Sequence, residues 1–265
     1  MSWLEKLRGL RRPLSTRRVA AYYDAWHERY LAAFGDTFQS ARTDDLGVLF
    51  GHVADAAELA PGRRVLDAGC GVAGPAIWLA RERGVEVVAL NVSRRQVEEA
   101  RHRVVAAGMT ERVEVVEGDF HDLAARFPAE RFDAVLFLES LVHSDHPERV
   151  LRGVARVLRP GGVLYVKDLF RRARVGWRER RRVARVVRNV DRACCLNVKP
   201  QGPFLRAIAG AGLELEWLRE LPLPIQHDLG NAFVASNGLD IYEGEPVTFL
   251  DWLELKARRP ADAGR

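Results

Sequence analysis

A chain of 265 residues, 48% of them hydrophobic, can bury one large core, and its 41 basic against 36 acidic residues leave a formal net charge of +5. It offers no apolar run long enough to cross a bilayer and no signal-peptide core, so a soluble, cytoplasmic protein is expected. Its three cysteines, Cys70 and the neighbours Cys194 and Cys195, form neither a disulfide framework nor a metal-ligand spacing, and no metal is expected.

In chain order, Trp3, Leu4, Leu7 and Leu10 recur at helical spacing among Lys6, Arg8, Arg11 and Arg12 until Pro13. This basic amphipathic stretch is open to four readings: a loosely docked terminal helix, a lid, a subunit contact in a homo-oligomer, or a weak anchor at a membrane surface. Ser15 or Thr16 then caps a helix carrying Val19, Tyr22, Tyr23, Trp26 and Tyr30, and another helix covers about 44–59. Beyond Pro61-Gly62 the pattern alternates, with strands at 64–68, 86–90, 113–117, 132–138 and 163–167 and helices at 73–83, 93–107, 121–126 and 147–158. Strands apolar on both faces and spaced by helices imply a doubly wound α/β fold with a parallel sheet. Further on, helices are expected at 178–190 and 203–211 and strands at 213–218 and 252–257, while 221–249 follows no period.

The segment Val65-Leu-Asp-Ala-Gly-Cys-Gly-Val-Ala-Gly74 joins an apolar strand to a glycine-rich turn that opens a helix. Asp67 ends the strand, Gly69 and Gly71 admit a ligand close to the backbone, and the helix offers unpaired N–H groups, so this is a cofactor pocket. The glycine spacing alone also fits a dinucleotide fold. Here, however, the acid precedes the first glycine, and Asn91 stands where a nicotinamide enzyme usually carries an acid. Three passages, DAGCGVAGPA, LNVSRRQ at 90–96 and LESLVHSDHPERVLRGVARVLRPGG at 138–162, resemble class I S-adenosylmethionine-dependent methyltransferases over residues 61 to 169. Within that class they are similar to the small-molecule branch: sterol and geranyl diphosphate C-methyltransferases, tocopherol-type ring methyltransferases and natural-product O-methyltransferases.

The resemblance implies a seven-stranded Rossmann-like sheet whose last strand is antiparallel, a helical cap at 1–60, and a catalytic domain at 61–265 with lid-forming insertions at about 171–211 and 221–249. It implies S-adenosyl-L-methionine as cofactor and a small-molecule acceptor. Asp67, Gly69, Cys70 and Gly71 would line the methionine end, Asn91, Val92 and Gln96 the ribose, Gly118, Asp119 and Phe120 the adenine, and Glu139 the sulfonium.

Two chemistries suit the end of the fourth strand. An alkene acceptor passes through a carbocation, which Glu139 would stabilise and deprotonate within ring walls from Tyr22, Tyr23, Trp26 and Phe38. Arg171 and Arg172, opening the Arg-rich stretch 171–192, would then hold a prenyl diphosphate. A hydroxyl acceptor needs a base instead, and His143 oriented by Asp168 would supply it. Isoprenoid C-methylation is slightly preferred and O-methylation is the alternative. Nucleic-acid methylation is disfavoured, because Trp177 is the one aromatic among the charges of 171–192 and Leu138-Glu139-Ser140-Leu141 replaces the amine-directed signature. A binding module without turnover is opposed by the intact cofactor residues.

Overall fold

The computed structural model describes residues 14–261 except 174, 226–227 and 245–246; the expected helix through Trp3 and Leu10 lies outside them. Strands β1 (Arg64–Ala68), β2 (Glu86–Asn91), β3 (Val113–Glu117), β4 (Phe132–Leu138) and β5 (Leu158–Arg171) are mutually parallel. β7 (Leu250–Arg258) runs antiparallel to β5, and β6 (Glu214–Glu220) pairs antiparallel with β7 at the edge. The spatial order is β3-β2-β1-β4-β5-β7-β6, the expected seven-stranded sheet with its last strand reversed.

Apolar runs on these strands feed two cores, because successive side chains leave opposite faces. Leu66, Val135, Phe137 and Val166 pack with Val150, Leu151, Val154 and Phe204 on one side. Val65, Leu136 and Tyr165 pack with Leu79, Ala80 and Ala100 on the other. The first layer belongs to α6 (Pro147–Val157) and α8 (Gln201–Gly210), and the second to α3 (Gly74–Arg83) and α4 (Arg94–Ala106). A one-turn α5 (Leu123–Arg126) completes the β3–β4 crossover.

Two differences from the sequence reading bear on the site. The stretch between the expected helix at 147–158 and the expected strand at 163–167 is absorbed into β5, which starts at Leu158 with Gly161 at φ 75° and a register shift opposite Phe132 and Ala134. β7 then pairs with β5 as far as Arg171, which carries the strand beyond Lys167 to the sheet's carboxyl edge. The unassigned stretch 221–249 contains α9 (Asp228–Ser236).

The elements covering the carboxyl edge come from both ends of the chain. α1 (Thr16–Phe34) is capped by Ser15, whose side chain accepts from Arg18 N, and it stops at Gly35, φ 66°. The Asp24 carboxylate of α1 accepts from Ser93 Oγ at 2.6 Å, tying that helix to the start of α4. α2 (Leu46–Ala56) follows, capped by Asp45. α7 (Arg180–Ala193) buries Val183, Val186, Val187 and Val190 against Val142, Leu169, Val234 and Phe249. In open α/β sheets, ligands bind at the carboxyl edge that these helices roof.

Candidate active site

The β1–α3 turn is held open by backbone geometry that few side chains tolerate. Gly69 has φ 96°, and a Cβ there would lie 2.4 Å from Ser140 Cβ; a Cβ on Gly74 would lie 2.3 Å from the carbonyl oxygen of Asp36. The turn is thus pressed between the end of β4 and the segment 36–41, and it leaves a cleft along its mouth. Asp67, 1% exposed, lines this cleft, and its Oδ2 has no hydrogen-bond partner among the described residues. Burial raises its pKa to about 7. Gln39 Oε1 and Gln96 Nε2, from the same lining, are likewise buried without partners. Buried polar atoms are nearly always paired in folded proteins. Two acceptors and a donor left open in one cleft therefore point to a ligand bearing both amino and hydroxyl groups.

Other cleft residues are engaged differently from the sequence expectation. The Asn91 amide donates to Gly71 O (2.9 Å) and Gln96 Oε1 (2.7 Å) and accepts from Ser93 N (3.0 Å), so it braces the turn, and the unpartnered amide nitrogen of this cleft is that of Gln96. Asp119 Oδ1 accepts from His121 N (2.8 Å) and His121 Nδ1 (2.6 Å), while Oδ2 accepts from the Thr16 hydroxyl. Burial pushes the Asp119 pKa up, but the bonds from His121 and Thr16 outweigh it and hold the group at about 2. This carboxylate caps the turn Phe120–Asp122 and fastens the start of α1 across the cleft. Cys70, Gly71, Val92, Gly118 and Phe120 line the same cleft.

A second cavity, of about 730 Å³, opens beyond it and is walled by Tyr30, Phe34, Leu169, Val190, Phe233 and Trp252 among others. Tyr23, Phe38, Glu139 and His143 line both spaces and form the junction between them.

At that junction Glu139 is fully occupied. It sits at φ 60°, and its Oε1 takes Lys167 Nζ (2.5 Å) and Ala41 N (3.0 Å) while Oε2 takes Ser40 N (2.7 Å). The side chains of Lys167 and Glu139 are only 2% and 5% exposed, and Lys167 also donates to Ala41 O at 2.7 Å. The carboxylate that the alkene chemistry would aim at a carbocation is instead a clasp holding the segment 36–41 over the cofactor turn. The expected clamp of His143 by Asp168 is also corrected. Asp168 accepts from Val142 N (3.0 Å) and Leu169 N (2.9 Å), and burial lifts its pKa to about 7.

His143 pairs elsewhere. Nδ1 lies 2.8 Å from Cys195 O, an acceptor only, so Nδ1 carries the proton and Nε2 accepts from the Tyr23 hydroxyl at 2.7 Å. The ring is 6% exposed, and burial lowers its pKa to about 4 despite the Cys195 carbonyl, with Lys199 adding to the fall. The imidazole is therefore neutral at pH 7, with its basic nitrogen turned toward a phenol.

The remaining candidates divide. Phe38 and Arg172 line the second cavity. Tyr22 and Trp26 stand behind it: the Tyr22 hydroxyl pairs with that of Tyr30 at 3.1 Å, and Trp26 stacks on Tyr22 and meets Phe233. Arg171 is placed outside the lining, its backbone N–H on Lys199 O. Sequence reasoning missed Thr16, Gln39, Tyr30, Lys167 and Phe233. Lys167 carried a readable signal, because a lysine inside the apolar run Val163-Leu-Tyr-Val must either surface or find a buried acid.

Residues 66–166 match the methyltransferase domain family. The matched segment, less than half of the chain, carries β1 to β5 and the glycine-rich turn, and its fold is that of the class I S-adenosylmethionine-dependent methyltransferases. Methyltransferase GfsG of Streptomyces halstedii is 37% identical over 165 residues, 58% of this chain and 58% of that protein. Sterol 24-C-methyltransferase of Yarrowia lipolytica is 44% identical over 108 residues, covering 41% of this chain and 28% of the relative. The match thus spans less than two thirds of either relative. The [4+2]-cyclase SpnF shares the fold, with a TM-score of 0.74 at 21% identity over 96% of this chain and 99% of the cyclase. The cleft fits the donor of this class. The open Asp67 carboxylate suits the ammonium of its methionine portion, and the open Gln96 amide suits a ribose hydroxyl.

Proposed function

We propose that this methyltransferase moves the methyl group of S-adenosylmethionine to a hydroxyl oxygen of a large, mainly apolar metabolite. The observation that carries this reading is the neutral His143 at the junction of the two cavities, its Nε2 held as a hydrogen-bond acceptor. S-adenosylmethionine supplies, when bound, a methyl carbon made electrophilic by positive sulfur. The enzyme's own task is to hold the nucleophile in line and take its proton. Tyr23 lies on Nε2 and faces both cavities. Burial pushes its pKa well above the ordinary phenol value, so it serves as a shuttle and not as the base. The acceptor hydroxyl gives its proton to Tyr23 oxygen while Tyr23 gives its own to Nε2, and the imidazolium that results is stabilised by its Nδ1–H bond to Cys195 O.

The charge of the acceptor cavity argues against a diphosphate. Among the described residues its lining carries one arginine or lysine, Arg172, against Glu139, Glu220 and Asp251, and Glu139 is already bound to Lys167. Diphosphate recognition calls for several converging cations or a metal. A second reading, C-methylation of an isoprenoid alkene, is favoured by the rings Tyr23, Tyr30, Phe34, Phe38 and Phe233 near the junction and by the sterol methyltransferase relative.

Mass spectrometry of products made with methyl-labelled cofactor and a panel of sterols, prenyl compounds and hydroxylated metabolites tests the choice. A methyl ether is expected, with His143→Ala lowering kcat by about 10²–10⁴. A new carbon–carbon bond formed at full rate by that variant would overturn the reading.

A further inference from the structure

α7 has two faces, and only one is explained by the fold. Val183, Val186, Val187 and Val190 are buried, and Val190 with Cys194 helps wall the acceptor cavity. On the opposite side Arg181, Arg185, Arg188 and Arg192 fall at positions i, i+4, i+7 and i+11, one stripe along the helix, and all four are exposed. At 1.5 Å per residue the stripe is about 16 Å long. None of the four is ion-paired with a described residue. The acids of this helix do not neutralise it: Asp191 is buried and accepts from Val198 N, and Glu179 sits at the first turn away from the stripe.

A second observation lies at the same end of the molecule. Trp177, just before α7, is 75% exposed, and its ring carries the Arg178 guanidinium 5.1 Å from the centroid. An exposed indole thus stands at the head of the helix that carries the guanidinium stripe. Tryptophan and arginine together suit a bilayer surface, the indole at headgroup depth and the guanidinium forks on phosphates. The helix cannot insert, because its apolar face is already occupied by the protein's own core. Contact is therefore confined to headgroups.

We propose that Trp177 and the α7 arginine stripe dock this methyltransferase on an anionic phospholipid surface, setting the helix that walls the acceptor cavity against the membrane from which an apolar acceptor would come. The inference stands on this face alone and is independent of whether the acceptor offers oxygen or carbon.

Co-sedimentation with vesicles tests it. The full chain should pellet with phosphatidylglycerol–phosphatidylcholine vesicles, stay in solution with phosphatidylcholine alone, and be released at roughly 0.5 M salt, where screening is nearly complete. The quadruple variant R181Q/R185Q/R188Q/R192Q should lose at least about tenfold in partitioning, since each arginine near such a surface contributes about fivefold. Trp177→Ser should weaken binding less, and should abolish the blue shift in fluorescence that vesicles induce in the unmodified protein. Both variants should melt and bind cofactor as the parent does, because all five side chains are exposed. Equal pelleting with neutral vesicles, full binding by the quadruple variant, or retention on RNA or polyglutamate but not on vesicles would overturn the proposal.

Discussion

The donor half and the acceptor half of this active site are built on different plans. In the donor half the decisive positions are neighbours: Asp67, Gly69, Gly71 and Gly74 lie within one strand–turn–helix unit, and their roles are set by backbone conformation. In the acceptor half the contacts join distant parts of the chain, Tyr23 to His143 across 120 positions, Glu139 to Ser40 across 99 and His143 to Cys195 across 52. The two halves also differ in how their polar atoms are satisfied. The donor cleft buries three unpartnered atoms, whereas the hydrogen-bonding atoms of Glu139 and His143 at the junction are paired. A site that is incomplete without its ligand sits beside one that is complete and must be rearranged by its ligand. That contrast can be attacked by substitution.

The largest effect is expected at Asp67. Its pKa of about 7 in the free protein lies above the ordinary carboxylate value because burial disfavours the charge. The folded state therefore holds this proton more tightly than the unfolded chain does. Stability from this group is greatest below about pH 4, falls as pH rises toward 7 and is flat beyond. Asp67→Asn should accordingly stabilise the empty protein at pH 8, by an amount on the order of a few kcal/mol, readable as a higher Tm. The same variant should lose about 10²–10³ in cofactor affinity by calorimetry, since it removes one partner of a buried charge pair. In the parent protein, affinity should fall as pH drops below about 7. A destabilised variant with parental affinity would mean that the donor half is complete without its ligand.

Next in size is the clasp. Glu139→Gln leaves Lys167 charged and buried with Ala41 O as its remaining acceptor, and reduces a carboxylate that accepts three bonds to one amide oxygen. A loss of about 3–5 kcal/mol in folding stability is expected. Glu139→Gln with Lys167→Met should recover much of it. If instead the single variant keeps its Tm and loses only kcat, Glu139 is a reacting group and the alkene chemistry regains its carboxylate.

The same contrast explains what the sequence disclosed. The centre of the sheet was legible because β1, β2, β4 and β5 carry buried apolar runs, and the cofactor turn because glycines at 69, 71 and 74 mark backbone that side chains would block. The buried stripe of α7 followed from valines at helical spacing. The acceptor half was not legible. The described segments 221–225 and 247–249, without helix or strand, line a cavity, and apolar residues such as Leu221, Ile225 and Phe249 obey no period. His143 was found as a candidate base, but its partner was misassigned: Asp168, nearby at the strand ends, uses its oxygens on local backbone N–H groups, and Tyr23 arrives on a helix from the far end of the chain.

A smaller effect is expected at Tyr23. Replacing it by Phe removes the relay but keeps the ring, so kcat should fall by about tenfold while cofactor affinity changes little. The pH profile separates the two halves. With the His143 pKa at about 4, kcat should hold from pH 8 down to about 5, while the cofactor requirement already rises below about 7 through Asp67. An unchanged kcat in Tyr23→Phe would mean that the acceptor reaches Nε2 directly.

The smallest expected effect is the most selective about the acceptor. Among the described residues Arg172 is the one arginine or lysine lining a cavity that also carries Glu139, Glu220 and Asp251, and the arginines of the α7 stripe are outside that lining. If the acceptor is held by apolar contact and oriented by its hydroxyl, Arg172→Ala should raise KM by less than about fivefold, the range of a partly exposed contact. An acceptor carrying a phosphate would lose a charge-assisted bond worth about 1.5–3 kcal/mol, a rise in KM of about 10- to 150-fold. A KM change in that upper range, measured on whichever acceptor the product analysis identifies, would move the charge of the cavity from background to handle and return the prenyl diphosphates to the field.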